Sequence, residues 1–222
     1  MAANRRALSL LRAEGIPGLT RGILRFGSAL LHTLYSDELL FAYELPLDRA
    51  GPLPWEPPVE GCDCHVIEDD AAADRLVMQG YDDFRIAIPP ASKRLERGAV
   101  AVCAYVDRAF ASIDWMAFSE NAQRSIDGVP YRVRYEDHRA FTSGALTSPA
   151  FRNLGIATYR FSHQLRYMRD HGFTLCCNVI RAENLPSRRV VEKHGARVRS
   201  ICRYRKVLGW RRWTERPVES DQ

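Results

Sequence analysis

P-A-F-R-N-L-G, from Pro149 to Gly155 with Ile156 and Ala157 directly after it, is the stretch whose reading decides the fold. Upstream, A-F-T-S-G-A-L-T (Ala140 to Thr147) is short and β-compatible. Downstream, Ala157, Phe161, Leu165 and Met168 recur at helical spacing, and His171-Gly172 supplies a stop. The order is strand, turn, helix. At such a junction the first helical N–H groups lack intrahelical partners, so the amides from Asn153 to Thr158, with the Arg152 side chain, can cradle an anion.

Working outward, a regular series of elements appears. Cys64 to Glu68 reads as a strand, and Asp69-Asp70 places acids at the start of a helix running to about Gln79. Pro89-Pro90 opens a second helical stretch through Glu96, closed by Gly98. Ala99 to Val106 and Ala109 to Phe118 form a hairpin about Asp107-Arg108. Asn121 to Asp137 reads mostly as loop. Phe173 to Ile180 is an apolar strand, Asn184 to His194 a short helix stopped by Gly195, and Arg197 to Val207 a final strand or strand pair.

The 222 residues, 46% hydrophobic and 27% charged, suit one globular domain with an extension. Residues 1–60 read as that extension. It holds an apolar helical stripe (Leu19, Ile23, Phe26, Leu30, Leu34), a strand-like run at Leu39 to Leu47, and the proline-rich connector from Gly51 to Pro58. Residues 61–210 form the main domain and 211–222 a tail. Neither a membrane span nor a signal peptide is legible, so the expected location is cytoplasmic.

Charge is unevenly spread. Residues 1–36 carry five Arg against Glu14, giving +4; residues 37–74 carry eleven acids against Arg49, giving −10; residues 197–216 carry eight basic residues against Glu215, giving +7. No nucleic-acid module accompanies the basic segments, so nucleic acid is not an expected partner. The helical stripe suits its own domain better than a membrane surface, which lacks a second anchor here. Cys62-Asp63-Cys64-His65 has no matching second ligand pair, so no metal is expected, and Cys103, Cys176, Cys177 and Cys202 fall in apolar strand-like runs as reduced core cysteines.

The element order and two blocks of sequence resemble the general N-acetyltransferase (GNAT) superfamily over about residues 62–207. P-A-F-R-N-L-G-I-A (149–157) is similar to the family's acyl-CoA signature V-x-P-x-x-R-x-x-G-x-G/A, and N-L-P-S-R-R-V-V-E-K-H-G-A (184–196) to its N-x-x-S-x-x-x-x-E-K-x-G-F helix. The resemblance implies an α/β (α+β) fold with a mixed, mostly antiparallel central sheet flanked by helices, here with an N-terminal helical extension. It also implies that the strands 140–147 and 173–180 splay to admit a thioester.

Acetyl-CoA is then the implied co-substrate. Arg152, Asn153, Leu154, Gly155, Ile156, Ala157 and Thr158 would hold its pyrophosphate. Leu146, Thr147 and Ser148 would hydrogen-bond the pantetheine arm, with Asn184 and Ser187 at the second block. Asn184 can equally cap its own helix. The chain departs from the family where a tyrosine commonly protonates the leaving thiolate, for Val191 stands there. With no carboxylate on the 140–147 strand, the candidate catalytic residues are Glu120, just beyond one strand, and His138, just before the next. The reading is an acyl-CoA-dependent N-acyltransferase acting on a primary amine, with loop 119–137 and the extension framing the acceptor. The alternatives are an inactive acyl-CoA-binding module, or a membrane-surface or polyanion binder using the basic N-terminus and Trp210-Arg211-Arg212-Trp213.

Overall fold

The structure is a computed structural model that describes residues 35–218 apart from Pro52 and Trp55. The apolar helical stripe at 18–34 lies outside the described residues. Eight strands form one sheet in the order β2-β3-β4-β5-β6-β1-β7-β8. They are β1 (Tyr35–Pro46), β2 (Cys62–Ile67), β3 (Val100–Val106), β4 (Ala109–Ala117), β5 (Arg139–Thr147), β6 (Leu175–Arg181), β7 (Arg197–Val207) and β8 (Trp210–Pro217). From β2 to β5 the neighbours are antiparallel, β5 and β6 are parallel, and β6 and β1 are antiparallel. This is the mixed sheet that the two motif blocks implied.

Helices cover both faces. They are α1 (Asp70–Met78), α2 (Phe84–Ala87), α3 (Ala91–Glu96), α4 (Glu120–Ile126), α5 (Ile156–Asp170) and α6 (Leu185–Lys193). Because strand side chains alternate, β4 sorts its neighbours: Ser112 and Asp114 reach Arg160 of α5, whereas Trp115 meets Phe84 of α2 and the Arg94 guanidinium of α3. The core between the sheet and α5 and α6 includes Tyr43, Leu45, Val102, Phe161, Leu165 and Met168. All six cysteines are free, and all but Cys64 are buried.

Local chemistry explains most boundaries. Asp69 caps α1 by accepting from the Ala72 N–H at 2.6 Å. Asp107 and Arg108 both take positive φ, which matches the two-residue turn of a twisted hairpin and confirms the expected β3–β4 pair. Two expectations need correction. The stretch from Asn121, read as mostly loop, begins as α4, because Ser119 caps it and Ala122, Gln123 and Ile126 are buried along one face. Part of the expected tail is β8, joined to β7 across Leu208-Gly209.

Among the described residues two compact units divide the chain: 40–202 with 215–218, and 35–39 with 203–214. In the described part of the smaller unit, Arg203 forks onto Asp37 at 2.6 and 2.7 Å, and Arg205 adds a contact at 3.3 Å. The Arg203 hydrogen bonds hold the Asp37 carboxyl below its usual range. Trp210 is exposed, and Trp213 is half-buried beside Tyr204.

In the larger unit a buried polar knot ties α5 to β4 and β5. Arg160, 2% exposed, donates to the Ile113 carbonyl, to Ser112 Oγ at 3.2 Å and towards Asp114 at 3.4 Å. Ser112 spends its only proton on the Leu146 carbonyl at 3.0 Å and therefore accepts from Thr147 Oγ1 at 2.9 Å. Burial lifts the Asp114 carboxyl to about 6, against the pull of Arg160. The fold thus keeps this proton to higher pH than the unfolded chain does, so the group's contribution to stability falls as pH rises from about 3.8 to about 6. Urea unfolding of wild type and Asp114→Asn should give a stability difference that moves in favour of Asn by on the order of 3 kcal/mol between pH 4 and pH 7. A pH-independent difference would contradict this.

Candidate functional site

The parallel pairing of β5 with β6 covers only Arg139–Leu175 to Thr142–Asn178. Both strands continue, β5 to Thr147 and β6 to Arg181, so they part beyond that point. The pair at the fork is fastened by a hydrogen bond from Asn178 Nδ2 to Thr142 Oγ1. On the other side β5 stays paired with β4 but slips register: Trp115 faces Ser143, yet Ile113 faces Leu146. The extra residue is a bulge, and Gly144 within it has φ +83°. A Cβ there would sit 3.1 Å from Trp115, so glycine fits both the backbone and the space. Residues 144–146, in the middle of the sheet, are exposed.

A turn at Pro149–Phe151 links β5 to α5, with Ser148 returning its N–H to the Ala111 carbonyl at 2.9 Å. Arg152 folds back, donating from Nε to the Thr147 carbonyl at 3.2 Å. Asn153 and Gly155 both have positive φ, at 63° and 79°. The N–H groups of Asn153, Leu154, Gly155, Ile156 and Ala157 have no hydrogen-bond acceptor among the described residues. Residues 152–155 are exposed. The fork and this row of N–H donors are therefore two ends of one strand-turn-helix unit, with clustered donors and a guanidinium suited to a phosphate.

The expected site residues separate into groups. Leu146, Thr147, Ser148, Arg152, Asn153, Leu154, Gly155, Ile156, Ala157 and Thr158 are contiguous from the open edge of β5 into α5, although the Ile156 side chain is buried in the core and only its N–H is available. The Thr158 N–H already bonds the Gly155 carbonyl at 3.0 Å. Asn184 caps α6, accepting from the Ser187 N–H at 3.3 Å, so both belong to a helix cap in this structure. Val191 is 4% exposed within the core and offers no proton.

Glu120 and His138 are not brought to the cradle. Ala117 pairs with Phe141, so Glu120 follows the end of β4 that lies beside the start of β5, and His138 immediately precedes β5. Five residues of strand, about 16 Å, separate His138 from Ser143 at the fork. Glu120 is an exposed first-turn acid paired with Arg124 at 2.6 Å. His138 takes a left-handed conformation that closes a turn, and its carbonyl accepts from Thr174.

Sequence reading passed over Arg94 and Ser143, which flank the Gly144 bulge on the α3 and α4 side together with Asp127, one of the acids of the loop 119–137 read as able to attract a cationic amine. Asp127, just after α4, accepts from Ser143 Oγ at 2.5 Å and from the Val129 N–H at 2.9 Å. Arg94 lies over Trp115 at 5.1 Å, with Nη1 3.6 Å from where a Gly144 Cβ would be. No local motif marks these positions; they meet only through the sheet. Cys62, Asp63, Cys64 and His65 sit on β2, and no three metal-ligating side chains converge among the described residues.

No family model matches the chain, and no curated protein does. Solved structures do. A GCN5-related N-acetyltransferase from Sphaerobacter thermophilus matches 87% of the chain at 11% identity with a TM-score of 0.50. A tandem GNAT protein from the clavulanic acid biosynthesis pathway matches 85% at 18% identity and 0.50. A conserved protein of unknown function from Staphylococcus epidermidis matches 80% at 12% identity and 0.51. The chain spans 58%, 57% and 65% of their respective lengths. At these identities the likeness shows the fold: the chain has the fold of GCN5-related N-acetyltransferases.

Gly155 is the position where the cradle depends most on a missing side chain. Its φ of +79° disfavours any Cβ, and that Cβ would lie 3.1 Å from Pro58. Gly155→Ala should lower the urea unfolding free energy by about 1–2 kcal/mol. An unchanged midpoint would show that the turn relaxes without cost.

Proposed function

We propose that this chain is an acyl-CoA-dependent N-acyltransferase that moves an acyl group, acetyl, from CoA to a primary amine. The observation that carries the reading is the fork of β5 and β6, opening directly onto the unpaired N–H row at 153–157. The pyrophosphate of CoA would meet that row and Arg152, and the pantetheine arm would pair along the open edge of β5 from Ser143 to Ser148. The thioester would then lie at the fork, beside the Gly144 bulge.

The reaction joins two bound partners. A neutral amine attacks the thioester carbon, the C–N bond forms, the C–S bond breaks, and the nitrogen loses one of its two protons as the thiolate gains one. Holding both reactants in one cleft supplies much of the rate. Direct attack is favoured over an acyl-enzyme because the cysteines near the fork are poor thiolates. Cys176 is fully buried, and burial lifts its thiol well above the ordinary range; Cys177 is pushed up to about 12. With Val191 in the core, the departing thiolate takes its proton from solvent or from the acceptor.

The first test is binding. Acetyl-CoA at 100 times its dissociation constant should raise the unfolding free energy by about 2.7 kcal/mol. Arg152→Glu sets a carboxylate against the pyrophosphate and should weaken binding in calorimetry by at least tenfold. No binding by wild type, or equal affinity in the variant, would sink the reading. Mass spectrometry after incubation with acetyl-CoA alone should find no stoichiometric acetyl-cysteine; finding one would replace direct attack with an acyl-enzyme.

A further inference from the structure

The side of the fork that faces α3 and α4 carries an opposed pair of charges. Arg94, on α3, is half-buried, and its guanidinium lies over the Trp115 ring with no hydrogen bond or ion pair among the described residues. Nε is buried without an acceptor, and Nη1 lies beside the exposed backbone of Gly144. A guanidinium has five N–H donors, and leaving them unanswered in a half-dry position is costly. Burial accordingly lowers the Arg94 pKa, with the Asp127 charge acting the other way. Asp127 is near enough to be felt, yet it forms no ion pair with Arg94; each of its oxygens accepts one hydrogen bond, from Ser143 and from Val129.

The two groups therefore flank the bulge, one with unused donors and one with an anionic carboxylate that keeps spare lone pairs. Their charges sum to zero. A simple amine would satisfy Asp127 but leave Arg94 unanswered, and a simple anion would do the reverse. A carboxylate fits the planar fork of a guanidinium through two parallel hydrogen bonds.

We infer that the acceptor is a zwitterion, an amino acid whose carboxylate is taken by Arg94 and whose ammonium is drawn to Asp127 beside the Gly144 bulge. This inference rests on the acyltransferase reading and names its acceptor class. In the transfer, the ammonium gives up one proton before attack, to Asp127 directly or through water. The nitrogen then forms the amide as the C–S bond breaks, and its second proton leaves while the thiolate is protonated. The products are the N-acetyl amino acid, free CoA and one proton. Arg94 holds the acceptor's own anion in place, and Ser143, bonded to Asp127, fixes the carboxylate's direction.

The test uses the full chain with acetyl-CoA and two matched sets of acceptors: the common amino acids with β-alanine, and the amines left when each loses its carboxylate. Free thiol release is followed alongside acetyl-CoA affinity by calorimetry. The amino acid set should contain an acceptor with kcat/KM at least tenfold above its decarboxylated partner. Arg94→Gln should raise KM for that acceptor tenfold or more, with acetyl-CoA affinity within twofold of wild type, and Arg94→Lys should recover part of the loss. Asp127→Asn should depress kcat for the same acceptor. Decarboxylated amines that serve as well as amino acids, or an Arg94→Gln loss equal for both sets, would overturn the inference and leave the acyltransferase reading standing. So would acetyl-CoA binding with no transfer to any amino acid. Failure to bind acetyl-CoA would instead remove the reading beneath it, and the inference with it.

Discussion

Two parallel strands that part midway leave unpaired peptide groups in the middle of a sheet, where a lost hydrogen bond is expensive unless water or a ligand replaces it. β5 and β6 part in this way beyond Thr142 and Asn178. Three local arrangements keep the opening from closing. The Asn178–Thr142 side-chain bond fixes where pairing ends. The Gly144 bulge bends β5 along β4, and the Arg160–Ser112 knot holds the Leu146 carbonyl from the α5 side. The cradle at 153–157 follows within a few residues, so its position relative to the opening is set by the same strand.

Much of this was legible in the residues. Gly155 preceding a helical period marked the start of α5, Asp69 marked α1, and Asp107-Arg108 marked a hairpin, because each is a local signal with a local cause. The resemblance carried by 149–157 and 184–196 extended those signals to a sheet order that no single element specifies. α4 escaped because its cap is one serine and its buried face only three residues. Arg94 and Ser143 escaped for a different reason. They are far apart in the chain, each is an ordinary residue in its own segment, and only the pairing of β4 with β5 assembles them.

Glu120 and His138 show the converse case. Proximity in sequence to strand ends made them candidates, but an antiparallel pair has two ends. β4 finishes beside the beginning of β5, so both residues lie at the paired end of the β5–β6 fork rather than the open one. At the other end, exposed backbone at 144–146 lies between a row of N–H donors and an Arg–Asp pair of opposite charge.

Amide hydrogen exchange with and without acetyl-CoA tests most directly whether the fork and the N–H row form one ligand site. Peptides covering 143–147 and 153–157 should exchange more slowly together when acetyl-CoA is present, while those covering Glu120 and His138 should be unchanged. Binding that protects neither the open edge of β5 nor the start of α5 would contradict the assignment of the site to this fork.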